Sequence, residues 1–167
     1  KILNDFQKSP YFLKSKLNKG LILYNQEFYK ESRLVLEELV KENKSSNLIQ
    51  EALNVLKEIS VDEGSFNEFT KWIKKENLNI YSDSEIEKNL FKSAEKKFLD
   101  KNYKQALKLL NTHLNKYPNG SNSLISSYYL AEIYYNQNLF EESQNFYEAI
   151  ISKPINEYTE KALVRII

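Results

Sequence analysis

One histidine and no cysteine limit the chemistry open to this 167-residue chain. A covalent mechanism needs a nucleophile held against a base, and zinc sites draw on several histidine, thiolate or carboxylate ligands. With His113 as the lone imidazole, the sequence predicts neither a nucleophile–base pair nor a histidine-based metal site. His113 shares a column with Leu39 and Ile150, which points to a packed or interfacial ring. The acidic pairs Asp62–Glu63 and Glu141–Glu142 are adjacent in sequence, and neighbours on a helix point in different directions. Acids at helix starts are accounted for by the helix dipole. Three glycines leave no phosphate-cradling loop. The expectation is a protein that is no enzyme, with no cofactor and no metal.

The elements that carry these residues must be long, because only three glycines and three prolines punctuate the chain. Twelve tyrosines, nine phenylalanines and one tryptophan need a core or a groove to occupy. The net charge of +1, with only two arginines (Arg33 and Arg165), argues against a nucleic-acid partner. No apolar run approaches the roughly 18–20 residues of a membrane span, so the chain is not expected to cross one. Absence of cysteine leaves the compartment open.

A repeat of 37 residues organises the chain. Tyr24-Asn25-Gln26-Glu27-Phe28-Tyr29 returns as Tyr135-Asn136-Gln137-Asn138-Leu139-Phe140, three periods later. Stepping by 37 aligns Tyr29, Phe66, Tyr103 and Phe140; Ser32, Phe69, Ala106 and Ser143; and Val35, Trp72, Leu109 and Phe146. Gly20, Ala94 and Ala131 form a small-residue column in which the second copy carries Lys57. Each copy reads as two amphipathic helices. Turns are expected at Asp100-Lys101-Asn102 and Asn136-Gln137-Asn138, with a helix stop at Tyr117-Pro118-Asn119-Gly120. Helix starts are expected at Ser9-Pro10, at a Ser84/Glu87 capping box and within Ser121–Ser123. A single hairpin cannot bury its stripes, so the copies must stack, with the aromatic column plugging the gap between hairpins.

These positions resemble the tetratricopeptide signature: small residues at Gly20, Ala94 and Ala131, an aromatic opening the second helix, Ser32, Ala106 and Ser143 three residues on, and Pro118 at the end. The family's period is about 34, and longer turns between hairpins would absorb the difference. The resemblance implies an all-α superhelical solenoid of antiparallel hairpins, about nine helices including truncated ends. Its parts would be a preceding tail (1–8), repeats at 9–45, 46–83 (divergent), 84–120 and 121–156, and the start of another repeat at 157–167. The stretch from Ala94 through Tyr103-Lys104-Gln105-Ala106 to Tyr117-Pro118-Asn119-Gly120-Ser121 and Tyr128–Glu132 is similar to bacterial cell-envelope repeat proteins, among them the Tol-Pal coordinator and outer-membrane assembly lipoproteins. That likeness implies a periplasmic or envelope location and a slice of a larger repeat protein.

By the same resemblance, a partner peptide or helix would lie on the first helices, against Leu17, Leu21, Tyr24 and Asn25, then Phe91, Glu95, Phe98 and Leu99, then Tyr128, Glu132, Tyr135 and Asn136. Their rings have two possible fates, exposure as binding hot spots or burial between hairpins. Residues 84–121 hold eight lysines against four acids, and residues 122–160 hold one lysine against six. This asymmetry suits a partner of mixed charge, contact between neighbouring repeats, or plain solvation. The expected function is a protein-interaction scaffold. The rival is a structural spacer or self-association module without a groove ligand, and nucleic-acid binding through the lysines of 88–108 is the weakest reading.

Overall fold

A computed structural model describes residues 11–42, 48–78 and 80–166. Among these residues all regular structure is helical, in nine helices: α1 (Phe12–Asn25), α2 (Tyr29–Glu42), α3 (Leu48–Glu63), α4 (Phe66–Lys75), α5 (Asp83–Leu99), α6 (Tyr103–Lys116), α7 (Ser123–Asn136), α8 (Phe140–Ile151) and α9 (Thr159–Ile166). The expected tail at 1–8 and the Ser9-Pro10 helix start lie outside the described residues. The chain divides into two compact units, residues 1–78 and 79–167. The first holds the hairpins α1/α2 and α3/α4. The second holds α5/α6 and α7/α8, with α9 packed on α8.

The 37-residue period is written into the backbone. Glu27, Gly64, Lys101 and Asn138, each one period apart, all adopt left-handed conformations with φ between 58° and 79°. In each copy the next residue's amide reaches back five positions to a helix carbonyl: Phe28 to Leu23, Ser65 to Ser60, Asn102 to Lys97 and Leu139 to Tyr134, at 2.8–3.0 Å. That closure ends the first helix in a Schellman-type turn. The same residue then accepts the first bond of the second helix, from Ser32, Phe69, Ala106 or Ser143. A left-handed residue at the same place in each copy (the second copy has a further one, Asn77, after α4) therefore turns the chain through the hairpin. Only the second copy places glycine there. Left-handed backbone costs a side-chain-bearing residue about 1–2 kcal/mol, partly offset by the greater unfolded-state freedom of glycine. Lys101→Gly should accordingly raise stability by about 0.5–1 kcal/mol and Gly64→Ala lower it by about 1–2 kcal/mol. Urea denaturation of each variant reads both signs.

Small residues bring the paired helices together. Gly20, Ala94 and Ala131 are buried, and the Ser32 hydroxyl donates to the Gly20 carbonyl at 2.8 Å as Ser143 does to Ala131 at 3.0 Å. In the third copy Ala106 stands in the serine's place, fully buried. In the His113 column Leu39, Ile150 and His113 are core side chains, each exposed by 1% or less, while Glu76 of the divergent copy ends α4 and is only half-buried. The divergent second copy has the shortest second helix, α4, among the four described hairpins. Its Phe69 fills the position that a small residue takes elsewhere and is buried.

Three local expectations are corrected. The capping box belongs to Ser82 and Glu85, two residues before the pair read from the sequence: Ser82 Oγ accepts the Glu85 amide and the Glu85 carboxylate accepts the Ser82 amide. Both pairs have the same spacing, and the earlier one wins because it leaves Glu87 free to turn inward, where it is buried. Helix α7 starts within Ser121–Ser123 as expected, after Asn122, but no serine caps it: there is no side-chain cap bond, Ser123 is buried, and Ser121 is drawn to Glu87. The aromatic column does not plug every gap. Phe66 is fully buried and Phe140 is 55% exposed. Within a hairpin these rings instead meet the end of the first helix, as Tyr24–Tyr29, Phe98–Tyr103 and Tyr135–Phe140 pairs with centroids 5.5–6.1 Å apart.

Candidate functional site

The first helices of the second unit carry a row of rings and carboxylates, and the structure shows what each meets. On α5, Phe91 is buried and Glu95 and Phe98 are half-buried. One side chain from α7 covers all three. Tyr129 stacks on Phe98 at 4.1 Å and lies parallel to Phe91 at 6.2 Å, while its hydroxyl donates to Glu95 at 3.0 Å. Burial, followed by that bond to a carboxylate, pushes the Tyr129 phenol well above its ordinary range.

On α7, Tyr128, Glu132 and Tyr135 are half-buried and Asn136 is exposed. Glu132 is held from behind by the Tyr147 hydroxyl of α8, which donates to Oε1. From the front, Arg165 of α9 donates through Nε to Oε1 at 3.3 Å and through Nη2 to Oε2 at 3.2 Å. Its guanidinium carbon lies 4.3 Å from the Tyr135 ring centre, a cation–π arrangement. Hydrogen bonding to Glu132 strengthens the hold of Arg165 on its proton. Tyr158 stacks on Tyr128 at 4.7 Å, and the Lys161 ammonium lies over both rings at 5.6 and 5.5 Å.

In the first unit Leu17 is buried, Leu21 and Tyr24 are half-buried, and Asn25 is exposed. Leu17 and Phe91 are thus core side chains. Phe98 spends part of its surface on α7, and Tyr128, Glu132 and Tyr135 spend part of theirs on Tyr158 and α9. Asn25, Leu99 and Asn136 stand open at helix ends.

Sequence reasoning missed a buried polar cluster behind this face. Glu87 of α5 accepts the Asn122 amide at 3.0 Å and the Ser121 hydroxyl at 3.2 Å, so it pins the turn between α6 and α7. His113 Nε2 lies 3.6 Å from the same carboxylate, too far for a hydrogen bond, and Nδ1 lies 3.0 Å from Ser126 Oγ. With the ring proton on Nε2, facing Glu87, the Ser126 hydroxyl donates to Nδ1. Phe91 and Tyr117 flank the ring, and Tyr117 is tied to Asp83 at 2.8 Å. The residue types are those of a nucleophile, a base and a carboxylate. Ser126 and His113, however, have no exposed surface, so no substrate carbonyl can reach the hydroxyl. The one hint in the sequence was Gly120, whose position leaves no room for a Cβ beside Glu87.

Burial lowers the pKa of His113 below its ordinary 6.5, and this outweighs the pull of Glu87 toward the charged form. The fold therefore favours the neutral ring. Its contribution to stability is complete above pH 6.5 and shrinks as pH falls through 6.5 toward the lowered folded value. The melting temperature should drop between pH 7 and 5, and His113→Gln should flatten that slope relative to wild type.

Among the described residues no group of three or more His, Cys, Asp or Glu side chains is placed to hold a metal ion. No helix among them is long and apolar enough to cross a membrane. What fold and site define together is an all-helical protein of repeated hairpins. No protein-family model and no curated protein matches the sequence.

Proposed function

We propose that the chain is a tetratricopeptide-type hairpin protein acting as a non-catalytic protein-interaction scaffold, with a peptide or helix binding along its first helices. The observation that carries this reading is the left-handed residue at 27, 64, 101 and 138. Repetition of one turn in one register is how a hairpin module is copied to extend a surface. The buried state of Ser126 and His113 supports the non-catalytic part.

The test is partner capture by the intact chain, compared with Tyr24→Ala and Tyr135→Ala variants whose helicity is confirmed by circular dichroism. Loss of captured protein in the folded variants supports the first-helix surface; undiminished capture by both removes it. A specific observation favours the spacer or self-association reading as well: the rings of α5 and α7 are largely spent on the next first helix. Light scattering that returned a strict monomer at millimolar concentration would count against self-association.

A further inference from the structure

We propose that the α7 face formed by Tyr128, Glu132 and Tyr135 is a receptor for a basic helix bearing lysine and arginine four residues apart, and that α9 fills it from within the chain. The proposal rests on the scaffold reading above and names the partner's chemistry.

Three features make the face selective. Tyr147 donates to Glu132 from the α8 side, which presets the carboxylate with its remaining lone pairs toward α9 and spares the incoming cation the cost of ordering it. Both carboxylate oxygens then receive Arg165, whose plane covers Tyr135. A lysine offers neither that fork nor that plane. One turn earlier, Lys161 sits over Tyr128, so the face reads two cations at helical spacing. The equivalent face on α5 is built differently. There Tyr129, a neutral ring with one donor, bonds Glu95 and covers Phe98, where α7 has a carboxylate facing the Arg165 guanidinium. The acidic balance of residues 122–160, six acids to one lysine, favours a cationic partner.

The internal occupant is lightly held. Ala162 is the one buried residue of the α9 helix, while Leu163 and Val164 are 45% and 70% exposed. An eight-residue helix has little stability of its own. Its apolar hold comes from Ala162, the preceding Tyr158 and half-buried Ile166, which join Ala131 of α7 and Tyr147 and Ile150 of α8 in one cluster. Its polar hold on α7 comes from the Arg165 grip. A partner helix with the same two cations and a larger apolar edge can displace it.

The probe is a fluorescein-labelled synthetic peptide of residues 156–167, titrated into the full chain and followed by anisotropy. The Lys161→Ala/Arg165→Ala chain, whose own α9 has lost its grip, should bind at least tenfold more tightly than wild type. Adding Glu132→Gln should weaken that binding at least tenfold, as should alanine at the peptide's arginine. Tyr135→Leu is a second route to the same loss, should Glu132→Gln disturb the fold. Absence of binding to the double variant, or affinity unchanged by both Glu132→Gln and Tyr135→Leu, overturns the proposal. Wild-type chains that exchange α9 into a stable dimer would also overturn it, since the occupant would then be a second copy. Captured partner that the peptide fails to displace defeats this site while leaving the scaffold reading standing. Peptide binding without any captured partner does the reverse.

Discussion

Leu36→Ala should lower the stability of the first unit by about 2–5 kcal/mol, the usual cost of emptying a fully buried leucine site. Leu36 has no exposed surface, and it fills the notch left by Gly20 on the facing helix. A Cβ at Gly20 would lie 2.6 Å from Leu36 Cγ and closer still to Cδ2. Gly20→Ala should therefore cost about 1–3 kcal/mol through overpacking. The two losses should not add. In the double variant the new methyl enters the space the leucine vacated, and the sum should fall short by about 1 kcal/mol or more. The fluorescence of Trp72, the only tryptophan and a resident of α4, reports this unit's unfolding in urea. Additive losses would show that the notch and the side chain are not complementary.

Glu87→Ala should destabilise the second unit by about 2–4 kcal/mol, because it removes a buried charged acceptor and strands the groups bonded to it. The carboxylate receives the Asn122 amide and the Ser121 hydroxyl and faces His113 across 3.6 Å. Gln at this position keeps an acceptor oxygen and should cost roughly half as much. Gly120→Ala attacks the same contact from the other side, since its Cβ would lie 2.6 Å from Glu87 Cδ and 3.0 Å from Tyr117 Cβ. Its cost, about 1–3 kcal/mol, should largely vanish when Glu87 is already alanine. Faster hydrogen exchange at the Asn122 amide in Glu87→Ala is the local signature. Protection equal to wild type would refute the latch.

The latch and the receptor face lie on opposite sides of one design problem. A first helix must bury small residues against its own partner helix and still meet the next first helix. Helix α7 does both. Ala131 contacts α8, Ser126 meets His113 on α6, and Tyr128, Glu132 and Tyr135 are left to greet α9. The α7 residues read as a groove thus also hold α9, and any partner of this face must compete with the chain itself.

Much of this was legible in the residues. Period, helix type, the turn at Asp100–Asn102, the stop at Tyr117–Gly120 and the core column of Leu39, His113 and Ile150 follow from spacing alone, because a local hydrogen-bonded helix and its closing turn depend on near neighbours. Residue types also foretold that His113 would pack. The fate of the rings could not be read this way. Phe66 is sealed and Phe140 open at the same column, because exposure depends on which helix lies across from a position. The inward turn of Glu87 and its hold on residues 121 and 122, and the capture of Glu132 by Arg165 across 33 positions, join groups distant in sequence, and the choice of Ser82 over Ser84 as the cap follows from the first. Periodicity determined where the helices and turns fall, since those bonds span about four residues; tertiary packing decided which faces remain for a partner, since burial and charge pairing are settled only when separate helices meet.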